Sequence, residues 1–111
     1  MKKEYVPSRG EIVWLTFNPQ AGHEQAGRRP AVVVSPGIYN EKSGLALLCP
    51  ITSKIKGYPF EVQLPEKCPV QGVILSDQVK SLDWKARNAE FVCSTPPEVM
   101  QELFNKLRTL I

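Results

Sequence analysis

The chain has 111 residues, 42% of them apolar and 23% charged, and carries a net charge of +3. That is enough chain for one domain with its own core, spanning residues 1–111, and too apolar a composition for disorder. No apolar run approaches the ~20 residues that a membrane-spanning helix needs, and the basic start MKKEYVPSRG leads into no sustained apolar segment, so neither a membrane partner nor a secretory signal is expected and a cytoplasmic location is.

Ten prolines and seven glycines cut the chain into short pieces. EIVWLTF (11–17), rich in β-branched and aromatic residues and closed by Asn18-Pro19, predicts a first strand. A polar loop follows from 20 to 28. PAVVVS (30–35) is apolar almost throughout and predicts a strand buried on both faces. PGIYNEKSG (36–44) reads as a turn or a short helical excursion, LALLCPIT (45–52) as a third strand, and PFEVQL (59–64) as a fourth with alternation. VILSDQV (73–79) is a fifth strand, SLDWKA (81–86) one helical turn, and AEFVCS (89–94) a sixth strand. Val99, Met100, Leu103, Leu107 and Leu110 then recur at helical spacing, predicting a helix from 96 to about 110, with Pro96 at its first position and a capping box of Thr95 and Glu98. Short strands separated by turn signals, with one terminal helix, point to a mainly β protein built as a small barrel.

Many catalytic chemistries are missing from the residues. There is no phosphate-binding G-x-x-x-x-G-K-[ST] and no G-x-G-x-x-G. His23 is the only histidine, so no histidine pair exists. Cys49, Cys68 and Cys93 are odd in number and lack C-x-x-C, which reads as reduced thiols; no metal site and no cofactor are expected. The acids are scattered, with no close pair to clamp magnesium.

Charge distribution remains. Residues 28–60 hold five cations (Arg28, Arg29, Lys42, Lys54 and Lys56) against one anion, Glu41. If the loops after the first and third strands lie at one end of a barrel, Arg28, Arg29, Thr52, Ser53, Lys54 and Lys56 surround one concavity. Guanidinium forks and hydroxyls suit a phosphodiester. Charged loops are more often plain solvated surface. Arg29 is harder to read that way: it precedes Pro30, which favours extended backbone, and abuts an apolar strand, so the frame of the fold holds it. Thr52 occupies the matching place at the end of the third strand.

In order along the chain, RGEIVWLTFNP (9–19), GHEQAGRRPAVVVSP (22–36), PITSKIKGYPFEV (50–62) and GVILSDQVKSLDWKAR (72–87) resemble the MazF/PemK family, the toxin halves of toxin–antitoxin modules. The resemblance covers essentially the whole chain, and E-Q-[AS]-G-x-R-P combined with a downstream DQVKS is its specific part. It implies an SH3-like β-barrel with helical additions, a homodimer, and a metal-independent endoribonuclease cutting single-stranded RNA at short sequences. It also implies a cognate antitoxin whose acidic, flexible C-terminal part covers the RNA site. Carried over by position, it makes Arg29 the catalytic arginine and Thr52 the catalytic hydroxyl. Glu24 and Gln25 become the acid–amide pair of the first loop, Glu24 either orienting Arg29, accepting a proton or binding a base edge. Gln78 falls near the RNA groove, and Arg28 is electrostatic support. Trp14 and Phe17 match the aromatic first strand, mostly core, with Phe17 the one given a chance of touching a base. Ser53, Lys54 and Lys56 belong to a loop, Ser53–Tyr58, that varies among members, as does the loop Pro65–Gly72.

On this reading the RNA supplies its own nucleophile, the 2′-hydroxyl, and the products are a 2′,3′-cyclic phosphate and a 5′-hydroxyl. The rival readings are a barrel that binds RNA without cutting it and a toxin of related fold that inhibits a topoisomerase. The capped, core-facing terminal helix argues against the second.

Overall fold

Residues 31–34 are buried along their whole length because the sheet that holds them is covered on both faces. The computed structural model describes residues 4–17 and 27–111. Its elements are β1 (Glu11–Thr16), β2 (Arg28–Val33), α1 (Gly37–Ser43), β3 (Leu45–Thr52), β4 (Glu61–Gln63), β5 (Val73–Leu75), β6 (Lys80–Asp83), β7 (Glu90–Ser94) and α2 (Pro97–Leu110). Successive strand residues point to opposite faces, so Val32 joins Ile12, Cys49, Ile51 and Ile74 in one core, while Ala31 and Val33 join Val13, Leu15 and Leu48 in a second. Helix α2 covers the first core with Val99, Leu103 and Leu107, a stripe at four-residue spacing. Trp84, Tyr5, Val6 and Phe17 close the second.

The strands pair antiparallel in the order β4-β5-β3-β2-β1-β7, with β6 on β3. One edge of β3 pairs with β2. The other is shared: its first half pairs with β6, up to Leu48 against Lys80, and its second half with β5, from Ile51 against Ile74. Pro50, which has no N–H to donate, falls at the changeover. The sheet is mainly β architecture with a terminal helix, as expected, but it is not closed: the path ends at β4 and β7, so the barrel is an open one.

Three local expectations need correction. SLDWKA is not a helical turn: Lys80–Asp83 is a strand, and Trp84 begins the turns that follow it. The additional helix lies instead at Gly37–Ser43, ended by Gly44 in the left-handed region (φ 77°), whose N–H donates to the Asn40 carbonyl at 3.0 Å. The capping box at α2 does not form. Pro96 is the N-cap and Pro97 the first helical residue, so the helix starts one residue later than expected; the buried Thr95 hydroxyl has no hydrogen-bond partner, and its backbone N–H donates to the Gly10 carbonyl at 2.7 Å.

Asn40 ties the second layer together. Its Nδ2 donates to the carbonyls of Pro7 (2.7 Å) and Ser35 (3.2 Å), its Oδ1 accepts from the Ser35 hydroxyl (2.5 Å), and its carbonyl accepts from the Trp84 indole (2.9 Å). The side chain is wholly buried with every polar group paired.

Candidate active site

Strand β2 is antiparallel to both neighbours, so its first residues lie beside the last residues of β1 and β3. The β1–β2 register sets Trp14 opposite Pro30 and Leu15 opposite Arg29. The β2–β3 register sets Ala31 opposite Pro50, and two residues further it carries Arg29 to Thr52. A concavity of about 510 Å³ opens at this end. Arg28, Arg29, Thr52, Ser53 and Lys54 all line it, and none of the described lining residues is acidic. A smaller concavity of about 190 Å³ adjoins it; Thr52 and Lys54 line both, whereas Lys56 and Gln78 line only the smaller one. Phe17 lines neither and packs half-buried against the second core. Glu24, Gln25 and His23 lie outside the described residues.

The two adjacent arginines differ. Arg28 is spent on the frame: Nη2 donates to the carbonyls of Asn88 (2.6 Å) and Trp14 (3.0 Å) and pairs with Glu90 (3.0 Å), and Nη1 reaches the Arg87 carbonyl (3.3 Å) and Thr16 Oγ1 (3.4 Å). It thus laces the start of β2 to β1, to the turn after β6 and to β7. The Arg29 side chain makes no hydrogen bond to another described residue and is exposed in the concavity.

The Thr52 hydroxyl oxygen accepts from the Lys54 backbone N–H at 3.1 Å. A hydroxyl has one hydrogen and two lone pairs, so this contact leaves the hydrogen available to donate into the concavity. The strand after the Lys54 loop holds that loop in turn: both Glu61 carboxylate oxygens accept backbone N–H groups, from Gly57 at 3.0 Å and Lys56 at 3.2 Å.

The opposite wall is the segment 65–72. Gln71 closes it on itself by donating to the carbonyls of Cys68 (2.8 Å) and Glu66 (3.0 Å). Gly72 presses on β3 so closely that a side-chain carbon there would overlap the Thr52 carbonyl oxygen and lie 2.8 Å from its carbonyl carbon. Sequence reasoning marked 65–72 only as a variable loop and missed its contact with Thr52, because only the fold brings residue 72 against residue 52. It also treated Trp14 as mostly core. Trp14 is 38% exposed and lines the concavity; the signal was its place between Val13 and Leu15, which both face the second core.

Cys49 and Cys93 are not built as nucleophiles. Burial pushes the Cys49 thiol up to about 12, with the Asp77 carboxylate adding to the effect, and burial followed by the proximity of Cys68 raises Cys93. Among the described residues no group of three or more His, Cys, Asp and Glu side chains is placed to hold a metal ion, and no helix is long and apolar enough to cross a membrane.

Comparison with known proteins agrees with this architecture. The chain is 48% identical over 111 residues to the endoribonuclease toxin MazF of Escherichia coli K12, spanning 100% of this chain and 99% of that protein. It superimposes on the crystal structure of MazF from Deinococcus radiodurans with a TM-score of 0.88 at 54% identity, covering 96% of this chain and 97% of that one. A MazE–MazF crystal structure from the same organism gives 0.89 at 52% identity over 96% of each chain. Residues 8–111 match the family described as PemK-like, MazF-like toxin of type II toxin-antitoxin system. With that match running from the first strand through the terminal helix, the chain belongs to the PemK-like, MazF-like toxin family.

Proposed function

We propose that the chain is an endoribonuclease toxin that cuts single-stranded RNA by attack of the RNA's own 2′-hydroxyl on the adjacent phosphate. The observation that carries this is the meeting of Arg29 and Thr52 across the open end of the β2–β3 pair, in a concavity with cationic and hydroxyl groups. Its relatives bear the name endoribonuclease.

The chemistry needs a splayed strand, an in-line 2′-oxygen, and stabilisation of the charge that grows on the phosphate. Arg29 meets that charge with paired donors. Thr52, its oxygen already occupied by the Lys54 N–H, donates to a non-bridging oxygen. Lys54 adds positive potential at the rim. An arginine keeps its proton at neutral pH, so Arg29 acts by charge and geometry. The family resemblance assigns Glu24 and Gln25 to the site as well, and Lys56 and Gln78 extend it along the adjoining concavity. Bases are read on unstacked, single-stranded segments, as is usual for RNA.

The family membership supports two protein partners. One is an antitoxin with an acidic, flexible segment suited to the basic groove. The other is a second copy of the chain. An apolar concavity of about 580 Å³ bordered by Val79, Phe104, Leu107 and Ile111 is the surface available to it, and sedimentation equilibrium reads the mass. The site of action is the cytoplasm, where messenger RNA is exposed.

The test is cleavage of a long unstructured RNA by the purified chain in EDTA, beside Arg29→Ala and Thr52→Ala, with product ends identified by mass spectrometry. Cyclic-phosphate and 5′-hydroxyl ends, lost in Arg29→Ala, are expected. A 3′-hydroxyl with a 5′-phosphate contradicts 2′-hydroxyl attack. Tight binding of RNA without turnover leaves a binding barrel instead.

A further inference from the structure

The register that brings Arg29 to Thr52 builds a second row one residue away. Trp14 pairs with Pro30 across β1–β2, and the β2–β3 register continues that row to Ile51. Strand alternation starts the two rows on opposite faces, and at the open strand ends Arg29 and Thr52 from one row and Trp14, Pro30 and Ile51 from the other border the same concavity. All three members line the 510 Å³ concavity, where Val70 joins them from the segment 65–72. The result is an apolar floor across three strands, with Arg29, Thr52 and Lys54 on its rim.

Most of this floor is core. Ile51 and Val70 are nearly covered, at 5% and 7% exposure, but Trp14 is 38% exposed. An indole left this open inside a cationic groove is a surface of the kind on which unpaired bases stack. The concavity is within the ~300–1,000 Å³ that small-ligand sites occupy. The rim carries phosphate-binding groups and the floor carries none, which is the division a nucleotide itself has.

We propose that this floor is a nucleobase subsite: one base of the single-stranded RNA stacks on Trp14 while its attached phosphate meets Arg29 and Thr52. The proposal rests on the ribonuclease reading and adds where one base goes. Trp14 anchors substrate and takes no part in bond making, so its loss lowers cleavage through binding and positioning. The subsite accepts any base with a π-face, and sequence preference at this position comes from stacking strength and fit.

The experiment uses an oligoribonucleotide with one cleavage site for the wild-type chain. Each base around the scissile bond is replaced in turn by an abasic ribonucleotide, which keeps the 2′-hydroxyl and the phosphate. Single-turnover cleavage is measured in EDTA for the wild type, Trp14→Leu and Trp14→Phe, with thermal melts to verify folding. Leucine keeps the apolar bulk and loses the ring; phenylalanine keeps a ring.

For the wild type, one abasic position costs about 5- to 150-fold in cleavage, the worth of one base–aromatic stack. Trp14→Leu loses a similar factor on the intact strand and is indifferent to the abasic replacement at that position alone. Trp14→Phe recovers part of the loss. Wild-type rates in Trp14→Leu, or equal abasic penalties in wild type and Trp14→Leu at every position, overturn the subsite and leave the ribonuclease intact. A wild-type chain that cuts no RNA overturns the ribonuclease reading, and the subsite falls with it.

Discussion

Gly72→Ala tests how rigidly the wall of the site fixes Thr52. Gly72 has φ +123°, a conformation that side chains rarely adopt. Its carbonyl is pinned by the Leu64 N–H (3.0 Å) and the Gln63 amide (3.3 Å), so the residue cannot swing away without breaking β4's continuation. A methyl group there overlaps the Thr52 carbonyl oxygen and comes within 3.1 Å of Ser53 Cα, and both are backbone atoms with little freedom to yield. The dihedral costs ~1–2 kcal/mol and the overlap a further ~1–3 kcal/mol, so about 3 kcal/mol in sum. At about 4 °C per kcal/mol for a chain of this length, Tm falls by about 12 °C. Because relief moves Thr52, the role proposed for Thr52 predicts that cleavage also falls by about 100-fold, the loss expected from a ~1 Å misplacement in a catalytic site. Gly44→Ala is the control: its φ is +77°, but nothing lies within 4 Å of the added carbon and the site is elsewhere. It loses ~1–2 kcal/mol of stability and keeps full cleavage. The assay is a thermal melt with single-turnover RNA cleavage at 15 °C, where both variants are folded. A Gly72→Ala protein that melts with Gly44→Ala and cuts like the wild type refutes the rigid contact between the wall and β3.

Asn40→Ala leaves the carbonyls of Pro7 and Ser35 without their donor in the interior, and a urea titration should show a loss of about 3 kcal/mol; a loss below ~1 kcal/mol means that water replaces the amide. Arg28→Ala removes donors from three carbonyls and is expected to cost ~1–2 kcal/mol, whereas Glu90→Ala, whose side chain is 73% exposed, should stay within ~0.5 kcal/mol. Equal effects in the two denaturation curves would place the worth of the network in the ion pair. Stability should also fall in alkali: the fold holds Cys49 as a neutral thiol with its pKa raised from 9.0 to about 12, so the unfolded chain releases that proton first and stability drops as pH rises from about 9 towards 12. Tyr5, raised by burial and by its bond to Glu11, acts in the same direction at higher pH. Urea midpoints from pH 7 to 11 measure the slope, Cys49→Ala should flatten it, and an unchanged slope removes Cys49 as the cause.

What was legible in the sequence follows from how local its cause is. LALLCPIT is a strand over the stretch expected, because β-branched and apolar residues buried on both faces need no distant information. The terminal helix showed in its four-residue stripe. KSLD did not show as a strand: β6 lies on β3 alone, along one edge, and lacks the apolar alternation that burial of a face would impose. Thr95 looked like a cap from its spacing to Glu98, yet a Pro-Pro step moved the helix start and left its hydroxyl unbonded. At the site, the placing of Arg29 beside Thr52 followed from two strand ends meeting, which a strand order makes foreseeable. The wall at Gly72 and the fate of Arg28 did not, since both depend on segments far along the chain.

The adjacent arginines show why a strand entrance suits this chemistry. Arg28 and Arg29 both border the concavity, but one guanidinium is committed to structure while its neighbour is left to the groove. Arg28 crosses to β1, the turn after β6 and β7, gathering acceptors from positions 14, 16, 87, 88 and 90. That lacing fixes the backbone from which Arg29 projects. A phosphate-binding arginine on a free loop would first have to lose its backbone freedom, at roughly 1–2 kcal/mol per residue, before it could meet a developing charge. Here the ordering is accomplished on folding, by the hydrogen bonds of Arg28 to the frame. Pro30 adds to this by restricting the residue before it, Arg29, to extended backbone. On the proposed function, the double arginine at the mouth of an apolar strand is therefore two functions in series: the first residue makes the frame, and the second uses it.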